Sequence, residues 1–169
     1  MADSHSLKDN FLAKIEEQID RAKHLATIVP ADRLEWRPFE GGTRICDLLG
    51  HLLECLSGFC ATLYILKPER LSHFASLRDL PVNHCCGVAE ALDRMGEYQL
   101  RIREGFAVID DEDLSRSLPT VFVAAGEMVL TLLLGNLEHL INHKHQLFFY
   151  LKLLGVPVGT ADLYKLRGE

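Results

Sequence analysis

Apolar residues recur along this chain at the three- and four-residue intervals of an α-helix, in four separate stretches. The first runs from about Leu7 to Val29, where Leu7, Phe11, Ile15, Ile19, Ala22, Ala26 and Val29 share a face and charged residues fill the other. Pro30 stops it. A turn-rich stretch follows, Trp36-Arg-Pro-Phe-Glu-Gly-Gly-Thr43, whose Pro38 and paired glycines forbid regular structure. Thr43 reads as the N-cap of a second helix, with Asp47 in its first turns well placed against the dipole. Ile45, Leu48, Leu49, Leu52, Leu53, Leu56 and Phe59 carry that helix to about Leu66, and Lys67-Pro68 closes it.

Residues 69–86 read as a crossover loop with room for one short helical turn. A third helix spans about Gly87 to Ile109, with Val88, Leu92, Met95, Gln99, Ile102 and Phe106 facing inward. Asp110-Asp-Glu-Asp113 reads as a solvated acidic loop, because it lacks the EF-hand spacing. Ser117 to Ala125, with Pro119 and Val121-Phe-Val123, fits both an extended segment and a helix lead-in. The fourth helix runs from about Glu127 to Leu154 and is apolar on nearly every side, so it is either central or covered by a second subunit. Gly155 and Pro157 end it, and the tail to Glu169 reads as packed but irregular. Four long helices with one long crossover describe an all-α four-helix bundle, a fold that builds cofactor sites between facing helices.

The chain has 169 residues, enough for one domain with a real core, and is 48% hydrophobic and 25% charged, as in ordinary globular proteins. A net charge of −6 without a basic stripe argues against a nucleic-acid surface. The first residues lack a basic n-region and an apolar h-region, and the apolar run from Thr120 to Leu134 carries Glu127 and a glycine. Neither a secretory signal nor a membrane span is expected. Five cysteines (46, 55, 60, 85 and 86) form no disulfide framework, and a reducing cytoplasm suits them best.

Chemistry concentrates in Glu138-His-Leu-Ile-Asn-His143-Lys-His-Gln146. His139 and His143, four residues apart, project from one helix face and together can grip a divalent ion. His51, set among leucines on the second helix, is the candidate third ligand. The alternative is that all three are hydrogen-bonded core histidines; burying an unpaired imidazole is costly, and a shared ion would account for three at once. His145 faces away from the pair, and His5, His24, His73 and His84 have no partner at ligand spacing.

A zincin would carry glutamate directly after the first histidine, where this chain has Leu140, and a di-metal carboxylate bundle would need two Glu-x-x-His pairs. What remains is a mononuclear site with exchangeable water. Asp47, Cys55 and Gln146, each one turn from a candidate ligand, fit either a role orienting the rings or an ordinary core or surface role, with Cys55 a weaker candidate ligand. Glu54 is the one carboxylate near a general-base position.

These residues resemble the DinB/YfiT-like superfamily of metalloenzymes. The matching pieces are Trp36-Arg-Pro38 with Gly-Gly-Thr43, then Asp47-Leu-Leu-Gly-His51-Leu, then His139-Leu-Ile-Asn-His143-Lys-His-Gln146-Leu with Tyr150-Leu-Lys-Leu-Leu-Gly155-Val-Pro157. The resemblance implies an up-down-down-up bundle, usually a homodimer, with nickel, zinc or a similar ion on His51, His139 and His143. It departs at one position: His145 stands where the family commonly has glycine, which puts a bulky side chain where helices or subunits pack closely. By analogy the resemblance also implies a cytoplasmic, metal-dependent S-transferase. Such an enzyme uses a low-molecular-weight thiol against a small electrophilic substrate, in detoxification. Two other readings stand beside it: metal-assisted hydrolysis of a small substrate, and a non-catalytic helical dimer of stress-response type.

Overall fold

The computed structural model describes residues 6–79, 84–119 and 124–164. Four long helices dominate it: α1 (Leu7–Thr27), α2 (Ile45–Leu66), α3 (Val88–Ala107) and α4 (Val129–Leu153). Their directions follow from which residues meet. Along α1 and α3, Lys8 reaches Phe106 while Lys23 reaches Gln99, so these two run antiparallel. Cys46 of α2 bonds Cys86 just before α3, and Leu63 packs on Gly105, so α2 and α3 run parallel. His51 meets His143 and Thr62 meets Asn136, so α4 opposes α2. The bundle is therefore up-down-down-up, as the sequence resemblance implies.

The apolar stripes meet in one core. Ile15, Ile19, Leu49, Leu53, Met95, Ile102, Leu133 and Leu140 are fully buried in it. By length and composition α2 alone among the described helices is apolar enough to cross a membrane, but most of it is buried inside the bundle. An all-round apolar helix at the centre of a bundle has that composition for packing reasons.

Several expectations need correction. The N-cap of α2 is Arg44 and not Thr43, and no side chain caps it. Arg44 instead grips Asp47 in the first turn. The fourth helix begins at Val129, two residues later than its pattern implies, because Glu127–Met128 (β2) pairs antiparallel with Ser117–Leu118 (β1). Val121-Phe-Val123, between those strands, lies outside the described residues, as do His5 and the end of the tail. The acidic loop is not wholly solvated: Asp113 is buried, ion-paired with Lys67 at 2.8 Å and Arg116 at 3.1 Å.

The crossover contains a longer 3₁₀ segment than one turn, Ser72–Asp79, which lays Phe74 and Leu77 on the bundle. The tail carries a short helix, α5 (Thr160–Leu163), held to α1 by Asp162 on His24 at 2.6 Å. Lys144 of α4 is fully buried beneath it, donating to Gln18 Oε1 and to the Leu163 carbonyl. A buried ammonium needs such acceptors.

Candidate metal centre

Helix spacing stacks His139 and His143 on one face of α4, and the antiparallel packing of α2 brings His51 opposite them. The Nε2 atom of His51 lies 3.1 Å from Nε2 of His139 and 3.1 Å from Nε2 of His143. The structure thus brings together all three histidines singled out in the sequence, as a group that could hold a metal ion. They are half-buried, and not enclosed as their leucine neighbours suggested. The rings sit at the α2–α4 seam, partly open to solvent.

Hydrogen bonds at the far side of two rings decide where the lone pairs point. Glu54 Oε2 lies 2.7 Å from His51 Nδ1; a carboxylate only accepts, so Nδ1 carries the proton. His143 Nδ1 donates to Gln146 Oε1 at 2.8 Å, and Gln146 in turn donates to the Tyr150 hydroxyl at 2.9 Å. The ring of Tyr150 rests edge-on against Trp36, centroids 5.4 Å apart. With the rings neutral, Nε2 is the unprotonated nitrogen of each, and two bare lone pairs 3.1 Å apart repel instead of bonding.

A cation between them resolves this. Nitrogens about 2.0–2.1 Å from one ion lie about 3–3.4 Å apart, which is the spacing here. A proton is a poor substitute: burial holds His139 and His143 below the usual imidazole range, and a charged neighbouring ring lowers each further. The donor set of three neutral imidazoles, two held by outer hydrogen bonds, suits a divalent transition metal with an open position.

Other candidates fall away from the rings. Asp47 lines the cavity but is committed to Arg44, with both oxygens taken at 2.7 and 2.8 Å. That pairing holds its carboxyl below the usual range. Cys55 is buried, its thiol pushed up to about 12 by desolvation, and it does not join the group. His145 is exposed and packs on Phe148 and Phe149, while His24, His73 and His84 each pair with a carboxylate. Glu54 does not stand as the free general base that its position suggested, because its carboxylate is bound to the His51 ring. The His51-x-x-Glu54 spacing on one helix face was the available signal. Tyr150 stands one turn past Gln146 on the same helix face, whereas nothing in local spacing connects Trp36 to it.

Beside the rings lies a cavity of about 230 Å³, lined by Thr43, Asp47, Leu48, His51, His143 and Gln146. It is large enough for a small group to approach the open side of the histidines.

No protein-family model and no curated protein matches the chain. Among solved structures it is similar to the crystal structure of a DinB-like protein, YjoA, from Bacillus subtilis. The TM-score is 0.67 at 16% identity, covering 86% of this chain and 92% of that one. The chain has the DinB-like fold.

Proposed function

We propose that this chain is a divalent-metal-dependent enzyme in which His51, His139 and His143 hold one nickel or zinc ion. Its reaction transfers a small electrophilic group to a low-molecular-weight thiol. The observation that carries the reading is the pair of Nε2 atoms 3.1 Å apart, each ring held at Nδ1 from behind.

An ion bound there lowers the pKa of a thiol or water and so supplies a nucleophile near neutral pH. The chain's own residues orient and admit. Glu54 fixes the His51 ring, and Gln146, backed by Tyr150 and Trp36, fixes His143. Thr43, Leu48 and Asp47 shape the approach to the open face.

The choice of thiol over water rests on the lack, among the described residues, of a free base beside the rings. Asp47 is a weak base while Arg44 holds both its oxygens, and Glu54 is already engaged with His51. A thiol starts near pKa ~8.5 and water near ~15.7, so a thiol needs far less assistance to ionise. Five free cysteines support placing the protein in a reducing compartment such as the cytoplasm. Leu134, Ile141, Phe149 and Leu153 remain exposed along α4, which supports a homodimer packed across that helix.

The test is metal analysis of protein purified without an affinity column, followed by conjugation of a thiol panel to monochlorobimane with and without added ion. Stoichiometric metal that is lost in both His139→Ala and His143→Ala is expected, with thiol turnover that follows it. Metal retained by both variants would refute the ligand set. Turnover of esters or amides without any thiol would replace transfer by hydrolysis.

A further inference from the structure

A second group of donor atoms gathers at the start of α2, away from the histidines. Cys46, the second residue of α2, Cys85 in the lead-in to α3, and Glu35 in the loop before α2 bring two sulfurs and a carboxylate oxygen within 4.8 Å of one another. Glu35 Oε1 lies 3.6 Å from Cys46 Sγ and 3.8 Å from Cys85 Sγ. From these distances we infer that Glu35, Cys46 and Cys85 form a binding site for a thiophilic divalent cation such as zinc or cadmium.

The two sulfur–oxygen distances fit such an ion. Zinc–sulfur bonds of about 2.3 Å and zinc–oxygen bonds of about 2.0–2.2 Å, set tetrahedrally, place sulfur about 3.5 Å from oxygen and about 3.8 Å from sulfur. Two thiolates and a carboxylate with a fourth position open to solvent are a soft, zinc-type donor set. Arg44 donates to Glu35 Oε2 at 2.7 Å, which turns Oε1 toward the thiols.

The donors are also held in place by backbone. The Cys46 N–H bonds the Leu34 carbonyl at 2.9 Å, and the Cys86 N–H bonds the Cys46 carbonyl at 3.3 Å. Gly50 lets the His84 backbone lie directly on α2. The two thiols share Glu35 Oε1 as acceptor; on binding an ion, each thiol gives up its proton to solvent and the two sulfurs take the metal. The ion ties three segments together, among them the loop that carries Trp36 and so the packing behind Tyr150 and Gln146. Its role is to brace the wall of the histidine centre.

The experiment is a cadmium titration of the full chain kept reduced with a phosphine, read by the near-ultraviolet thiolate-to-cadmium charge-transfer band. In His51→Ala, which removes the competing histidine centre, one equivalent should saturate the band; Cys85→Ser and Cys46→Ser should abolish it, and Glu35→Gln should weaken binding at least about tenfold. His51→Ala should leave it intact, so failure at the histidine centre reads differently from failure here. Because Cys46 is buried and its variant risks misfolding, the wild-type chain supplies a second reading. Zinc should slow alkylation of the exposed Cys85, mapped by peptide mass, and a chelator should restore it. Absence of the band, its survival in Cys85→Ser, or alkylation of Cys85 indifferent to zinc would overturn the assignment.

Discussion

An outer hydrogen bond to one ring nitrogen of a histidine orients the other toward a metal, and Glu54 supplies this bond to His51 across a single helical turn. Replacing Glu54 by glutamine keeps the shape but removes the charge that supports the ring. Metal affinity should fall by about 10–100-fold in a competition titration against a chelator; unchanged affinity would remove Glu54 from the site. Buried thiols make a second prediction. Desolvation pushes Cys60 up to about 12 from an ordinary 9.0. Between those values the unfolded chain has already lost the proton that the folded chain keeps, so stability is intact below pH 9.0 and falls as pH rises toward about 12. Urea midpoints measured across that interval should drop, and drop less steeply in Cys60→Ala. An equal slope in the variant would place the alkaline loss elsewhere.

Elements here are specified by their apolar faces and positioned by close approaches. A Cβ on Gly50 would stand 2.0 Å from the His84 carbonyl oxygen, a backbone atom that cannot rotate aside. A Cβ on Gly105 meets Leu63 Cδ1 at 2.6 Å, the flexible end of a side chain. Gly50→Ala should therefore cost about 1–3 kcal/mol of unfolding free energy, despite a helix-propensity gain of about 1 kcal/mol. It should cost more than Gly105→Ala when both are measured by urea denaturation; the reverse order would mean that the 84–87 segment yields easily. The four helical spans were legible because each carries a 3.6-residue stripe over many turns. Their starts were less so. Thr43 has the chemistry of a cap, but the backbone enters α2 one residue later, where Arg44 is occupied by Glu35 and Asp47. Likewise Glu127 and Met128 follow a helical pattern yet pair as a strand, because Ser117–Leu118 offers them a partner.

At the scale of the molecule, the crossover between parallel α2 and α3 decides that α2 faces α4 across the core, and this brings one histidine to two others. The long apolar α4 is central along one face, but Phe149 remains 53% exposed and Leu153 62% exposed. A second copy packed there would cover them. Sedimentation equilibrium should show a dimer, and Phe149→Lys should give a monomer with unchanged helix content. A wild-type monomer at high concentration would leave this face without a partner copy. His145 lies beside Phe149 on that same exposed side, so its bulk would act on a copy packed there and not on the candidate ligands.

Periodicity and spacing along the chain were sufficient to define four helices, a bundle, and the paired imidazoles of α4, because those properties depend on residues within one or two turns of each other. Which helices are neighbours depends on contacts between residues far apart in the chain, and local pattern holds no record of them. The bond from Glu54 to His51 lies within one turn of α2, but the convergence of His51 on that pair and the meeting of Glu35, Cys46 and Cys85 were decided only when distant segments packed against one another.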